Sequence, residues 1–489
     1  MKIISIIKTT TLKKPSKIYW LFLAVVFALL LPNFFYNDLI ITTRQSINLW
    51  HCIADDSVLN FFAYNSNPDN LHTYSHIPVQ GCAYSFVVYL VFAIWNLPLF
   101  FLERFGNVDI FANPAIVFYS KLILVIFLFL SANIFKKICF QLDLDETRSA
   151  WASYLFVSSA LVYSCVIIIG QYDIFSLFFT LLGVSAFLKD DKLGFIGWFS
   201  VAFMFKFFSF IIFVPLLLLK QKKILKILKC IIYSFIPYLI LKLVFALGTT
   251  YTGKTDTGGL GSMFFSSWFG HSDLSFGNMS LSLFLLAITL ICILAYYLNP
   301  ENDKLSAKYA IYLSALAYCS FFVFIPAYPY WYILMSPFII LLLFFNKSNF
   351  KLNLLLETIG MACLFLSQQI SGAYWCFSNR LFIPTFWNLF FDVNREGFTP
   401  RYTHELINSA GNRIGFDNLS LLLTLLTGSI FVATMISILV INRPKKSIDN
   451  SEGEIQFIVD IGIVRFRNIM NIFLAIIPII VFLFNVLHY

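Results

Sequence analysis

Residues 194–219 read GFIGWFSVAFMFKFFSFIIFVPLLLL, with Lys206 as the sole charge. The run exceeds the ~20 residues that an α-helix needs to cross hydrocarbon. Its single ammonium sits mid-run, where lipid contact is expensive and a cavity or counter-charge is required. A re-entrant hairpin of two short helices over 193–219, with Lys206 at an apex lining a polar cavity, satisfies both facts. This reading makes the chain an all-α polytopic membrane protein.

Composition agrees. Of 489 residues, 59% are hydrophobic and only 12% are charged, and the mean hydropathy is +0.81. The apolar residues suffice for at most about 14 spans. A water-soluble domain of this make-up would expose more apolar surface than it could cover. Soluble enzymes, secreted disulfide scaffolds and disordered chains are excluded. The apolar runs have helix length and no two-residue alternation, so they are not barrel strands. The net charge of +9 comes from lysines clustered beside apolar runs. That is the positive-inside pattern, and it implies membrane lipids as partners and no nucleic acid. Nine scattered cysteines show no C-x-x-C and no zinc spacing. Cys52 and Cys82 share the first outer loop, which leaves a disulfide open. The first apolar run starts near Ile18 and lacks a small-residue cleavage site, so no cleavable signal peptide is expected.

Lysines orient the chain. Lys2, Lys8, Lys13, Lys14 and Lys17 place the N-terminus in the cytoplasm, and residues 18–35 then cross. Lys220, Lys222, Lys223, Lys226 and Lys229 must be inside, as must Lys304 with Lys308, Lys347 with Lys351, and Arg443 with Lys445 and Lys446. Segments 248–279 and 373–418 become outer loops, and 442–467 becomes a cytoplasmic loop. If every apolar run crossed once, Lys136-Lys137 and Lys189 with Lys192 would lie outside. A run at 84–102 that enters and returns, together with the 193–219 hairpin, moves them inside. The expected architecture is a single integral-membrane domain of about 11–13 helices with an outer-face cavity. Eleven of its spans are full and two partial. The first outer loop covers 36–83, the core covers 84–247, and Gly170 lies on the outer side.

Polar residues mark the candidate site. Asn37-Asp38 directly follows the first span. Beyond it, Arg44, Asn48, His51 and Asp55 form a stripe opposite Ile47, Trp50, Ala54, Val58 and Phe61, as in an interfacial amphipathic helix with a polar face for a substrate. The tetrapeptide Gly170-Gln171-Tyr172-Asp173 separates two apolar runs, and its carboxylate suits a helix start. Loop 373–418 carries Arg380, Arg395, Arg401 and Arg413 without a lysine, and arginine forks match phosphate oxygens. GTTYTGKT at 248–255 formally matches a phosphate loop. A membrane span precedes it and helix-breaking DTGGLG follows, so nucleotide binding is not expected.

Asn37-Asp38, YSHIP at 74–78, GQYD at 170–173, the 194–219 stretch and AYPYWYILMSPF at 327–338 together resemble the GT-C superfamily of integral-membrane glycosyltransferases. Within it they are most similar to bacterial relatives of the GPI-anchor mannosyltransferase II family. The resemblance implies a polyprenyl-phosphate hexose donor and an extracytoplasmic glycan or lipid acceptor. It implies Asp38 as catalytic base, Asp173 with Gln171 and Tyr172 as a second polar element, and Lys206 near the lipid phosphate. Asp55-Asp56 is a rival acidic pair. Ser75-His76 stands where an acidic residue is expected, and Tyr328 where a histidine is often seen. Arg44, His76, Arg380 and Arg401 complete the candidate substrate contacts. A divalent cation shared by Asp38 and Asp173 is an open cofactor. A flippase of lipid-linked saccharides and a polysaccharide polymerase are the rival functions. The expected location is a bacterial plasma membrane, crossed many times, with the N-terminus in the cytoplasm.

Overall fold

The computed structural model describes residues 11–12, 14–32, 34–55, 57–73, 81–112, 115–246, 273–276, 279–325, 327–371, 403–445 and 459–487. In chain order the helices are α1 (Lys17–Leu30), α2 (Asn37–Asp55), α3 (Phe61–Tyr64), α4 (Phe86–Gly106), α5 (Ala115–Gln141), α6 (Glu146–Val157), α7 (Asp173–Leu188), α8 (Lys192–Phe205), α9 (Phe210–Lys220), α10 (Ile224–Ala246), α11 (Leu283–Tyr297), α12 (Asp303–Phe324), α13 (Ser336–Leu343), α14 (Phe350–Ile370), α15 (Thr403–Arg413), α16 (Leu419–Ile441) and α17 (Ile461–Leu487). Two short strand pairs, Thr11–Leu12 with Val459–Asp460 and Asp273–Phe276 with Met279–Ser282, are the only sheet among the described residues.

The polytopic helical class holds. Among the described residues, six helices are long and apolar enough to cross a membrane. A seventh candidate is α6 plus the π-helical segment Val162–Ile168, bent by 55°. Other apolar helices, such as α1, α7, α8 and α11, are shorter than 18 residues. Against the eleven to thirteen spans read from the sequence, the described residues hold six candidate spans, or seven with the bent pair, because several of the apolar runs fold as shorter helices. Helix ends buried in protein find polar partners there and need not reach across lipid.

The helices have two chemically distinct ends. At one, Lys220 donates to Phe187 O (2.8 Å) and pairs with Asp190 (2.9 Å). Lys222 donates to Ala295 O, Tyr296 O and Leu298 O, at 3.1, 2.6 and 3.0 Å. These ammonium groups satisfy the last carbonyls of α7 and α11, where the helix dipole favours cations. Asp145, Asp191 and Asn302 cap the starts of α6, α8 and α12 at the same end. Lys14–Glu146, Lys304–Asp143 and Lys351–Asp460 also pair there. We call this the basic end.

The hairpin over 193–219 is present. Lys206 is extended (φ −154°, ψ 132°) between α8 and a 3-10 turn at Phe207–Ser209. The Phe195 and Phe213 rings lie 5.0 Å apart. One straight helix would separate these residues by roughly 27 Å. The hairpin therefore starts and finishes at the basic end, with Lys206 at the opposite end beside the start of α7.

Three segments differ from expectation. Residues 86–102 of the 84–102 run lie in one unbroken helix, α4, rather than an entering and returning pair. Its middle residue Asn96 donates to Ser46 and to Ser120, near the start of α5. Tyr84, just ahead of it, reaches Asp38. With α2 it forms a layer across the end that holds Lys206. Segment 442–467 is not wholly a loop, because α17 begins at Ile461 and Arg467 is fully buried. Loop 373–418 contains the helix α15. Cys52 and Cys82 are buried in one small core cluster, and no disulfide joins them.

Candidate functional site

The site lies at the end opposite the lysine clusters. Asp38 enters it in the first turn of α2, where the helix dipole favours a carboxylate. Two donors converge on its Oδ2: Tyr84 Oη at 2.8 Å and Gln171 Nε2 at 2.8 Å. Gln171 belongs to the GQYD turn. Gly170 has φ +74°, a left-handed value that suits glycine. A Cβ there would also stand 3.0 Å from Leu39 Cδ2 and 3.2 Å from Lys121 Cε. The turn can therefore press against α2 only because residue 170 has no side chain.

Asp173 opens α7, fully buried, and forms an ion pair with Lys206. The Lys206 side chain retains 15% exposure. Its ammonium lies over the rings of Tyr172 (5.4 Å), Phe208 (5.3 Å), Tyr330 (5.4 Å) and Trp331 (5.1 Å). Tyr172 meets Tyr84 edge-on at 4.4 Å. Asp38, Gln171, Tyr172, Asp173 and Lys206 are thus brought together, and one aromatic box joins them. Asp173 Oδ2 and Gln171 Oε1 have no hydrogen-bond partner among the described residues. A hydroxyl-bearing ligand would satisfy such buried acceptors.

The shared divalent ion fits less well. An ammonium already neutralises Asp173, and among the described residues no three His, Cys, Asp or Glu side chains converge. A cation-paired carboxylate is the arrangement these residues make.

Arg44 and Asp55 go elsewhere. Arg44 pairs with Glu103 of α4 at 2.5 Å and donates to Asn48 at 3.0 Å. His51 Nε2 lies 3.0 Å from Glu103, and Arg104 grips Asp55 through both carboxylate oxygens. The Arg104 hydrogen bond holds the Asp55 carboxyl below its usual range. The polar stripe of α2 thus faces α4 and joins the two helices, because Glu103 and Arg104 supply its counter-charges. Asp56, His76, Arg380 and Arg401 lie outside the described residues.

Sequence reading passes over Tyr84, Trp331 and above all Lys121. Lys121 is fully buried in α5. Its ammonium donates to Leu31 O (3.2 Å), Phe34 O (2.5 Å) and Ile168 O (3.1 Å), and lies 5.1 Å from the Phe35 ring centre. It joins the end of α1, the approach to Asp38 and the approach to GQYD. Its sequence signal equals that of Lys206, an ammonium inside an apolar run. No family model, curated protein or solved structure matches this chain in comparison.

Proposed function

We propose that this protein is a membrane glycosyltransferase that moves a hexose from a polyprenyl-phosphate sugar to an extracytoplasmic glycan or lipid acceptor. The observation that carries the reading is the meeting of Asp38, held by two donors, with the Asp173–Lys206 pair inside an aromatic box. The acceptor oxygen attacks the anomeric carbon as the bond from that carbon to the phosphate oxygen breaks. Asp38 takes the hydroxyl proton. The phosphate leaves with the electron pair of the broken bond, and Lys206 stabilises its charge. The four rings around Lys206 keep water from the ammonium and strengthen that interaction. The lysine-rich end faces the cytoplasm under the positive-inside rule, which puts the site on the outer face of a bacterial plasma membrane.

The test incubates purified protein with labelled polyprenyl-phosphate sugars and asks which label leaves the lipid. Movement of intact lipid across vesicles without bond cleavage would instead identify a flippase. The double variant Asp173→Asn/Lys206→Met removes both charges together and leaves neither buried alone. It is expected to bind polyprenyl phosphate roughly 10–100-fold more weakly, as loss of a charged hydrogen bond implies. Unchanged binding would remove Lys206 from the phosphate site. Sidedness is checked by cysteines at the exposed Tyr328 and Asp190. An impermeant reagent added outside should label the first and spare the second, and the reverse pattern rejects the orientation.

A further inference from the structure

A cavity opens at the basic end, away from the Lys206 box. It has a volume of about 400 Å³ and sits between the segment ahead of α1 and helices α1, α5 and α6. Lys14, Trp20, Asn133, Lys136, Glu146 and Ser153 supply its polar and aromatic lining. Lys14 pairs with Glu146 at 2.8 Å. Lys136 forms no ion pair among the described residues, and its ammonium lies 5.9 Å from the centre of the Phe140 ring. Two ammonium groups and one carboxylate leave the cavity one positive charge in excess. Ser153 donates to Ser149 O at 2.9 Å, which leaves its lone pairs to accept from a ligand hydroxyl.

The surface next to the cavity is apolar. Toward the middle of the bundle, α1 exposes Leu21 and Val25, and α5 exposes Phe129. The Phe27 and Phe129 rings, 6.3 Å apart, close the seam between the two helices. In a membrane protein these exposed side chains face hydrocarbon. Trp20 is 40% exposed at the rim and meets Tyr154 edge-on at 5.5 Å. Indole rings favour the head-group level of a bilayer. The unneutralised charge therefore sits where lipid heads lie, beside a seam that tails can cover. A soluble anion would match the charge alone.

We infer that this cavity binds the head group of an anionic phospholipid, a phosphodiester of the phosphatidylglycerol type, in the cytoplasmic leaflet, where the positive-inside rule places the basic end. Lys14 and Lys136 hold the phosphate, and Ser153 accepts from a head-group hydroxyl. Glu146 opposes the phosphate and limits the affinity. The binding is independent of the glycosyl-transfer reading.

The test measures binding of dioleoyl phosphatidylglycerol, dioleoyl phosphatidylcholine and glycerol 3-phosphate to the purified full chain in neutral detergent, with melting temperature as the folding control. Wild type is expected to prefer phosphatidylglycerol over phosphatidylcholine, which has the same tails and a neutral head, by roughly tenfold. Lys14→Gln/Lys136→Gln should abolish that preference. Lys223→Gln/Lys226→Gln removes two exposed lysines of the basic end that do not line the cavity, and should preserve it. Glu146→Gln removes the opposing carboxylate and should tighten phosphatidylglycerol binding several-fold. Equal binding of the two lipids by wild type overturns the inference. An equal loss in both lysine pairs overturns it too, by showing a diffuse surface charge in place of a site. Glycerol 3-phosphate binding as tightly as phosphatidylglycerol would make the cavity a site for soluble anions and end the lipid assignment. If the lysine variant does not fold, Glu146→Gln decides: unchanged or weaker phosphatidylglycerol binding rejects the site.

Discussion

Asp38→Asn is expected to lower sugar transfer by roughly 10²–10⁴-fold, the usual contribution of a positioned general base. Asparagine keeps the size of the side chain and an acceptor oxygen for Tyr84 and Gln171. The fold and donor binding should therefore persist, and the loss should appear in turnover. Tyr84→Phe and Gln171→Leu each remove one of the two donors and leave the carboxylate in place. Their expected losses are smaller, about tenfold each, the scale of one hydrogen bond to a charged group. Label release from a polyprenyl-phosphate sugar, beside melting temperature, checks the series. An Asp38→Asn protein with full turnover would end the assignment of this carboxylate as base.

Arg467→Met is expected to destabilise the protein by about 3–5 kcal/mol, because it strands a buried carboxylate. Arg467 is fully buried and meets Glu357, itself 2% exposed, through two bonds of 2.7 and 2.8 Å. It also donates to Ser158 Oγ and Leu155 O, at 3.3 and 3.1 Å, while Asn471 donates to Ser158 O at 2.9 Å. These carbonyls sit at the bend between α6 and the π-helical segment, where the regular ladder is broken. The segment beyond that bend leads into GQYD. The double variant Arg467→Met/Glu357→Leu removes both charges and should recover much of the loss. Melting of detergent-solubilised protein measures the cycle. If the double variant is no more stable than the single, the ion pair does not hold the bend.

Much of the site was legible because membrane chemistry makes certain residues costly. Lys206 interrupts an apolar run, so a cavity or a counter-charge was required, and Asp173 supplies the counter-charge. Gly170 marked a turn and Asp173 a helix start, and both are found there. The α2 stripe was also visible, yet its purpose was not. Periodicity shows which residues share a face, and Glu103 and Arg104 decide what that face meets. Lys121 carried the same signal as Lys206 and works through carbonyls, which no sequence pattern displays.

Composition and charge distribution alone determined a helical membrane chain with clustered lysines, a hairpin around residue 206 and two candidate carboxylates. Those properties are local, set by what each segment costs to place in hydrocarbon. Only the tertiary structure decided that Gln171 bridges to Asp38 across 133 positions, and that Arg467 closes the bend at Ser158 across 309. Partners so distant in the chain are chosen by which helix faces pack together, and that choice emerges from the whole bundle at once.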